Sequence, residues 1–316
     1  MGKYIKALLI VFQLTVFLNA NGQSQNRKVT ITIDDLPTVS LLNSPKQKEE
    51  ITRKILASLN NQDVPAIGFV NEAKLYAEDK IDSSQLKLLQ LWIDAGLEIG
   101  NHTFSHPSFH QTDTAKYFKD IADGQTITND LLKLKNDKIR YFRHPYLHTG
   151  NSMEKNKALD KFLHQNNLIV APVTVDNSDW IFARAYDNAI LAEDSTSMKT
   201  IGELYVEYMK NYFAYYEQQS LDLFDYEINQ ILLLHANSIN ADYLDELLEM
   251  LILRNYKFVP MAEALEDNAF RTKENFIGEG GISWIHRWAL EQGKKKAFFK
   301  GEPATPELII KTAALK

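Results

Sequence analysis

The stretch VTITIDD, residues 29–35, decides how the rest of the 316-residue chain is read. Apolar and β-branched residues alternate through it, which marks a strand, and the run stops on two adjacent carboxylates, Asp34 and Asp35. Successive side chains leave a strand on opposite sides, so the two carboxylates are expected to diverge at its end. Such a pair can divide labour. One carboxylate holds a metal while its neighbour takes a proton, because a nearby cation and a hydrogen-bonding partner separate their pKa values. Adjacent aspartates after a strand also serve as a turn or a helix N-cap, so the reading depends on what the other strand ends carry.

Strand-like runs at 28–33, 65–70, 97–100, 139–142, 168–175, 230–234 and 257–259 alternate with amphipathic stretches such as 49–59, 84–94 and 242–253. This is the α/β pattern, and no Pro/Gly/Ser-rich linker divides it. Seven parallel strands joined by helices close most naturally into a (β/α)7 barrel, whose chemistry collects at the C-terminal strand ends.

Composition narrows the function. The chain is 45% hydrophobic and 24% charged with a formal charge of −6 and no basic block, so no nucleic-acid groove is expected. Cysteine is absent, which excludes disulfides, thiolate nucleophiles and Cys-ligated zinc. At the N-terminus Lys3 and Lys6 precede an apolar run, 7–18, and the small residues Ala20-Asn21-Gly22. That is the pattern of a secretory signal peptide, 1–22, cut after Gly22 to leave Gln23 first, or after Ala20. The run is too short to span a bilayer comfortably, so the expectation is export to the periplasm or the exterior without stable membrane insertion; an uncleaved anchor is the alternative.

The strand ends carry further chemistry. After 97–100 comes NHTFSHP, 101–107, with His102 and His106 four apart, a spacing that brings both imidazoles to one side of a helical turn. One carboxylate plus two neutral imidazoles leaves coordination positions open for water and substrate, as in a catalytic zinc-type site. RHPY, 143–146, follows the next strand, DNSDW, 176–180, the one after, and His235 follows 230–234. Each has a bland alternative: Arg143 in a surface ion pair, Trp180 in the core, Asp179 as a helix cap, His235 as a satisfied core histidine. The bland account has to hold at five strand ends at once.

The ordered set TIDD, NHTFSH, RHPY, DNSDW and LLLH resembles the polysaccharide deacetylases, the NodB-homology domain of carbohydrate esterase family four, over residues 28–266. The resemblance implies a distorted (β/α)7 barrel that removes acetyl groups from sugars with one divalent ion, zinc first, with cobalt, nickel or iron as alternatives. It makes Asp34 the base and Asp35, His102 and His106 the metal ligands. Arg143 would hold Asp34 ionised, Tyr146 would offer its backbone N–H to the oxyanion, and His235 would be the acid, paired with Asp179. Trp180 and Leu233 would shape the pocket for the acetyl methyl.

Three features depart from the family pattern: Leu147-His148 where many relatives have glycine, the 54 residues 181–234 with a Tyr-rich stretch at 204–216, and an extension at 267–316. The Tyr-rich stretch is read as packing rather than as a groove wall. In the extension, a glycine-rich loop leads into Trp284 and Trp288, with Arg287 placed to lie beside Trp284; the expected reading is the apolar stripe of a helix docked on the barrel, and the alternative is a segment folded over the strand ends whose aromatics line a sugar subsite. The expected activity is N-deacetylation of an N-acetylhexosamine glycan of peptidoglycan or chitin type, a hydrolase reaction on a carbon–nitrogen bond other than a peptide bond. An O-acetyl esterase on xylan-like polysaccharide and an inactive carbohydrate-binding barrel are the alternatives. A metal phosphoesterase is disfavoured by the single three-ligand site and the lack of a phosphate-cradling glycine loop. The sequence leaves the oligomeric state open.

Overall fold

Strand β1, Arg27–Leu36, is the spine of the sheet in a computed structural model that describes residues 27–315; the signal-peptide reading of residues 1–22 lies outside the described residues. The other strands are β2 (Ile67–Val70), β3 (Tyr76–Ala77), β4 (Lys80–Ile81), β5 (Glu98–Asn101), β6 (Tyr141–Phe142), β7 (Ile169–Val170), β8 (Gln230–His235) and β9 (Tyr256–Phe258). All seven strand positions read from the sequence are occupied, and β3 and β4 form a small antiparallel hairpin apart from them. The main sheet is parallel in the order β7-β6-β5-β2-β1-β8, with β9 pairing the first residues of β1.

The sheet curls into a distorted barrel, and the distortion has a local cause. The expected strand 168–175 pairs only at Ile169 and Val170 and runs on through Pro172, which has no N–H to give to a ladder. The chain re-enters at Val175, which bridges Leu232 of β8, while Thr174 and Val175 donate to the Ile231 carbonyl at 3.0 and 3.1 Å. Closure between β7 and β8 is therefore one bridge wide.

β1 is buried on both faces, as a central parallel strand should be. Val29, Ile31 and Ile33 join the large core shared with the helices. Thr30 and Thr32, both fully buried, satisfy their hydroxyls on the carbonyls of Val259 (2.8 Å) and Leu232 (2.7 Å).

The connection between β7 and β8 holds the helices Asp179–Leu191 and Ser195–Phe224. Tyr205, Tyr208, Tyr212 and Tyr216 recur at three and four along the second helix and are buried, with Phe182 of the first packed on Tyr205 and Tyr208. The tyrosine-rich stretch thus packs on the barrel's outside. In the extension, the helix Trp284–Glu291 buries Trp284 and Trp288, the latter edge-on to Phe224 and Phe270. Ser283 Oγ and Trp284 N–H donate to the carbonyls of Thr174 and Val173, both at 2.7 Å, at the place where β7 leaves the ladder. No helix among the described residues is long and apolar enough to cross a membrane.

Candidate metal and proton-transfer site

Asp34 and Asp35 do not diverge. Both lie inside β1, and between Ile33 and Leu36 the pairing with β2 slips by one residue, a β-bulge that re-aims the side chains there. Asp35 sits at φ 69°, a left-handed conformation that aspartate tolerates better than most residues. The alternation rule assumed regular backbone; the bulge turns both carboxylates toward one imidazole, each with an oxygen 3.8 Å from His102 Nε2.

The histidines do not lie on a helix either. The segment after β5 is a loop in which Thr103 (φ 65°) and His106 (φ 59°) are both left-handed, and this reversal replaces the helical turn expected from the spacing. The rings nevertheless meet edge to face with centroids 4.8 Å apart, and His106 Nε2 is 3.6 Å from Asp35 Oδ1. The ligating atoms of Asp35, His102 and His106 all fall within 4.8 Å of one another.

This donor set fits a divalent cation. His102 Nδ1 lies 2.8 Å from the Arg143 carbonyl; a carbonyl only accepts, so Nδ1 carries the proton and Nε2 presents a lone pair. That lone pair faces Asp35 Oδ1, a buried oxygen with no hydrogen-bond partner. Acceptors converging without a donor call for a cation between them. Burial lowers the pKa of both histidines, keeping the imidazoles neutral for ligation. Burial would raise Asp35, but positive neighbours led by Lys74 pull it below its ordinary value.

Asp34 is set differently. Burial pushes it up to about 6, against the pull of Arg143 and then His235. Arg143 acts in the direction the sequence reading assigned, with Nη1 3.7 Å from Asp34 Oδ2, yet desolvation outweighs it. The arginine is fully buried; Nη2 donates to Thr32 Oγ1 at 2.9 Å and the guanidinium lies 4.8 Å from the Phe69 ring centroid.

On the neighbouring strand, His235 pairs with Asp34 in register and forms part of a histidine–carboxylate pair. His235 Nδ1 donates to Asp179 Oδ1 at 2.7 Å, and the His235 backbone N–H donates to Oδ2 at 2.8 Å. Asn237 and Asn240 also donate to Oδ2, and Asn240 is held by Tyr205 at 2.6 Å. Burial lowers His235, but the charge and hydrogen bond of Asp179 prevail and raise it to about 9. Asp179 is fully buried, so the dyad is rigid.

These groups open on a cleft of about 630 Å³ lined by Asp35, His106, Tyr146, Trp180, Leu233 and His235, among others. Asp34, His102, Arg143 and Asp179 lie behind this lining, joined to it through Asp35 and His235 by the contacts above. Trp180, read alternatively as core, is 50% exposed and forms part of the cleft wall. Tyr146 has φ 56°, and its N–H stands second in a single 3₁₀ turn, ahead of any intrahelical acceptor.

Three residues were given no role by the sequence reading. Lys74 donates to the Asp35 carbonyl at 2.8 Å and lies 3.6 Å from its Oδ1. It follows β2, the one early strand whose end was left without a role, and that omission was the available signal. Asp176 lines the cleft, and burial, with Glu302 next, raises it to about 7. Gly281, from the extension, lines the cleft beside the Tyr146–Leu147 turn, and nothing in its local sequence distinguished it from a loop glycine.

Comparison with known proteins bears on the fold. The family model described as polysaccharide deacetylase matches residues 21–162. Among solved structures, the Bc1960 peptidoglycan N-acetylglucosamine deacetylase is 19% identical over 76% of this chain and 89% of that one, with a TM-score of 0.51. The peptidoglycan deacetylase PdaC from Bacillus subtilis is 20% identical over 77% and 92%, TM-score 0.48. A mutant of BA3943, a CE4 family pseudoenzyme with restored enzymatic activity, is 22% identical over 77% and 68%, TM-score 0.47. A search of curated proteins gave no match. The matched segment carries Asp34, Asp35, His102, His106, Arg143 and Tyr146, while Asp179 and His235 lie beyond it. The likeness to polysaccharide deacetylases is thus carried by residues 21–162, just under half of the chain.

Proposed function

We propose that the protein is an exported, metal-dependent deacetylase that hydrolyses N-acetyl groups of an N-acetylhexosamine-containing glycan, of peptidoglycan or chitin type. The observation that carries this reading is the placement of Asp34 and the Asp179–His235 dyad around the same cleft as the Asp35, His102 and His106 triad. A divalent ion held by the triad, zinc by its O and N donors, would polarise the acetyl carbonyl and acidify a water.

The chain's own groups do the rest. Asp34 takes the proton from the attacking water, and a carboxylate near 6 is matched to that task close to neutral pH. Arg143 keeps its charge beside Asp34 while that proton arrives. The water oxygen bonds to the carbonyl carbon, and the oxyanion that forms meets the Tyr146 N–H. As the carbon–nitrogen bond breaks, His235 gives its proton to the leaving amine, and Asp179 stabilises the cation until then. The products are acetate and the free amino sugar. Leu233 and Trp180 offer apolar surface for the acetyl methyl and the sugar.

Acetate release from a panel of acetylated sugars, with and without chelator, tests the reading. Release from N-acetylhexosamine oligomers that stops on chelation is expected. Release from O-acetylated xylan alone would make the protein an esterase, and release from nothing would leave a binding barrel. Export is checked by N-terminal sequencing of protein recovered outside the cytoplasm, expected to begin at Gln23.

A further inference from the structure

We infer that the C-terminal extension is a working part of the cleft, in which Gly281 and Arg287 are positioning residues that hold the backbone turn at Tyr146 and Leu147. The inference rests on the proposed role of the Tyr146 N–H and goes beyond it, because the extension lies outside the family match.

The turn needs holding. Tyr146 and Leu147 are consecutive left-handed residues, φ 56° and 53°, a conformation that bulky L-residues avoid unless their surroundings impose it. Arg287 supplies the restraint. Its side chain is 1% exposed, Nη2 donates to the Leu147 carbonyl, and Nη1 donates to Thr149 Oγ1 at 2.9 Å. The same guanidinium returns to its own segment through Nε to the Ile282 carbonyl at 3.0 Å, and it stacks 4.3 Å from the Trp284 ring centroid. A planar fork that bonds both partners at once fixes their separation and their angle.

Gly281 sets the approach. A Cβ at that position would stand 1.7 Å from the Tyr146 carbonyl oxygen, so only glycine lets the two backbones touch. Ser283 and Trp284 fasten the other side of the strap to Thr174 and Val173. The extension therefore bridges the loops after β6 and β7, and Gly281 lies in the wall of the cleft between them. A helix that merely covered apolar surface would need neither the buried arginine fork nor the backbone contact at Tyr146.

Two variants of the full-length protein test this. Gly281→Ala, in a half-buried loop, should stay folded by circular dichroism, with a modestly lowered melting temperature, and bind the same amount of metal. Because the Tyr146 peptide must move, its kcat should fall about tenfold or more, with KM within about twofold, a fraction of the effect of deleting an oxyanion donor. Arg287→Gln should make the amides of residues 146–149 exchange with solvent at least about tenfold faster while β1 and β8 are unchanged. Wild-type kcat in folded Gly281→Ala, or a change confined to KM, would overturn the inference, as would unaltered exchange in Arg287→Gln. Should the wild type release no acetate at all, the deacetylase reading falls and the exchange measurement still judges the strap.

Discussion

Replacing Asp179 by Asn removes the charge on which the His235 imidazolium depends and leaves its shape. Burial alone drives His235 below its ordinary value of about 6.5; Asp179 reverses this and brings it to about 9. Without the charge, His235 should fall to about 6.5 or lower, a change of at least roughly 2.5 pH units. If the cationic form is the acid, the basic limb of kcat/KM moves down by that amount. At pH 8 the protonated fraction drops from about 0.9 to about 0.03, a loss near 30-fold that shrinks toward pH 5.5. A bound cation lowers both values together, so the difference between variant and parent persists.

Stability follows the same linkage in the metal-free protein. A folded-state pKa raised above the unfolded one contributes stability fully present below pH 6.5 and lost as pH rises through 9. For His235 this contribution is on the order of 3 kcal/mol. The melting deficit of Asp179→Asn should therefore be largest below pH 6.5 and smaller above pH 9. The assay is a pair of profiles, initial rates of acetate release and thermal unfolding from pH 5 to 10. A basic limb that stays in place would refute His235 as the acid, whatever the variant does to stability.

Other substitutions separate chemistry from packing. His102→Ala should lose bound metal and activity together while the barrel stays folded, read by metal analysis and circular dichroism, because the core and not the ion stabilises the fold. Asp34→Asn should remove the acidic limb of the profile and still bind metal stoichiometrically. Trp288→Ala should lower stability by about 3–5 kcal/mol, measured by denaturant unfolding, and leave KM unchanged, since the ring is buried between Phe224 and Phe270. Trp180→Ala should do the opposite, raising KM for oligomers with little stability change, since half of its surface is exposed in the cleft.

Much of the fold was legible because the strands are short and apolar and each ends on polar chemistry. The seven strand positions follow from that rhythm, and the ionisable residues collect on one cleft because parallel strands deliver their C-terminal ends to one side. What local patterns did not reveal was backbone irregularity. The bulge at Asp35 and the left-handed turns at Thr103, His106, Tyr146 and Leu147 are imposed by tertiary contacts that no spacing rule encodes. The sequence places Arg287 beside Trp284, as found, but the roles of Lys74 and Arg287 were out of reach for the same reason. A lysine after one strand and an arginine beside a tryptophan acquire roles only once the Asp35 and Leu147 carbonyls turn toward them. The elevation of Asp34 was likewise out of reach, since it depends on complete burial outweighing a visible arginine.

The central claim is that Asp35, His102 and His106 hold one divalent ion that this chain uses to release acetate from N-acetylhexosamine glycans. Titrating zinc into metal-stripped protein, with acetate release recorded at each addition, tests it most directly. Activity should rise from baseline to a plateau at one equivalent and fail to appear in His102→Ala. Full acetate release before any metal is added, or one tightly bound equivalent with no acetate from any N-acetylated glycan, would contradict the account.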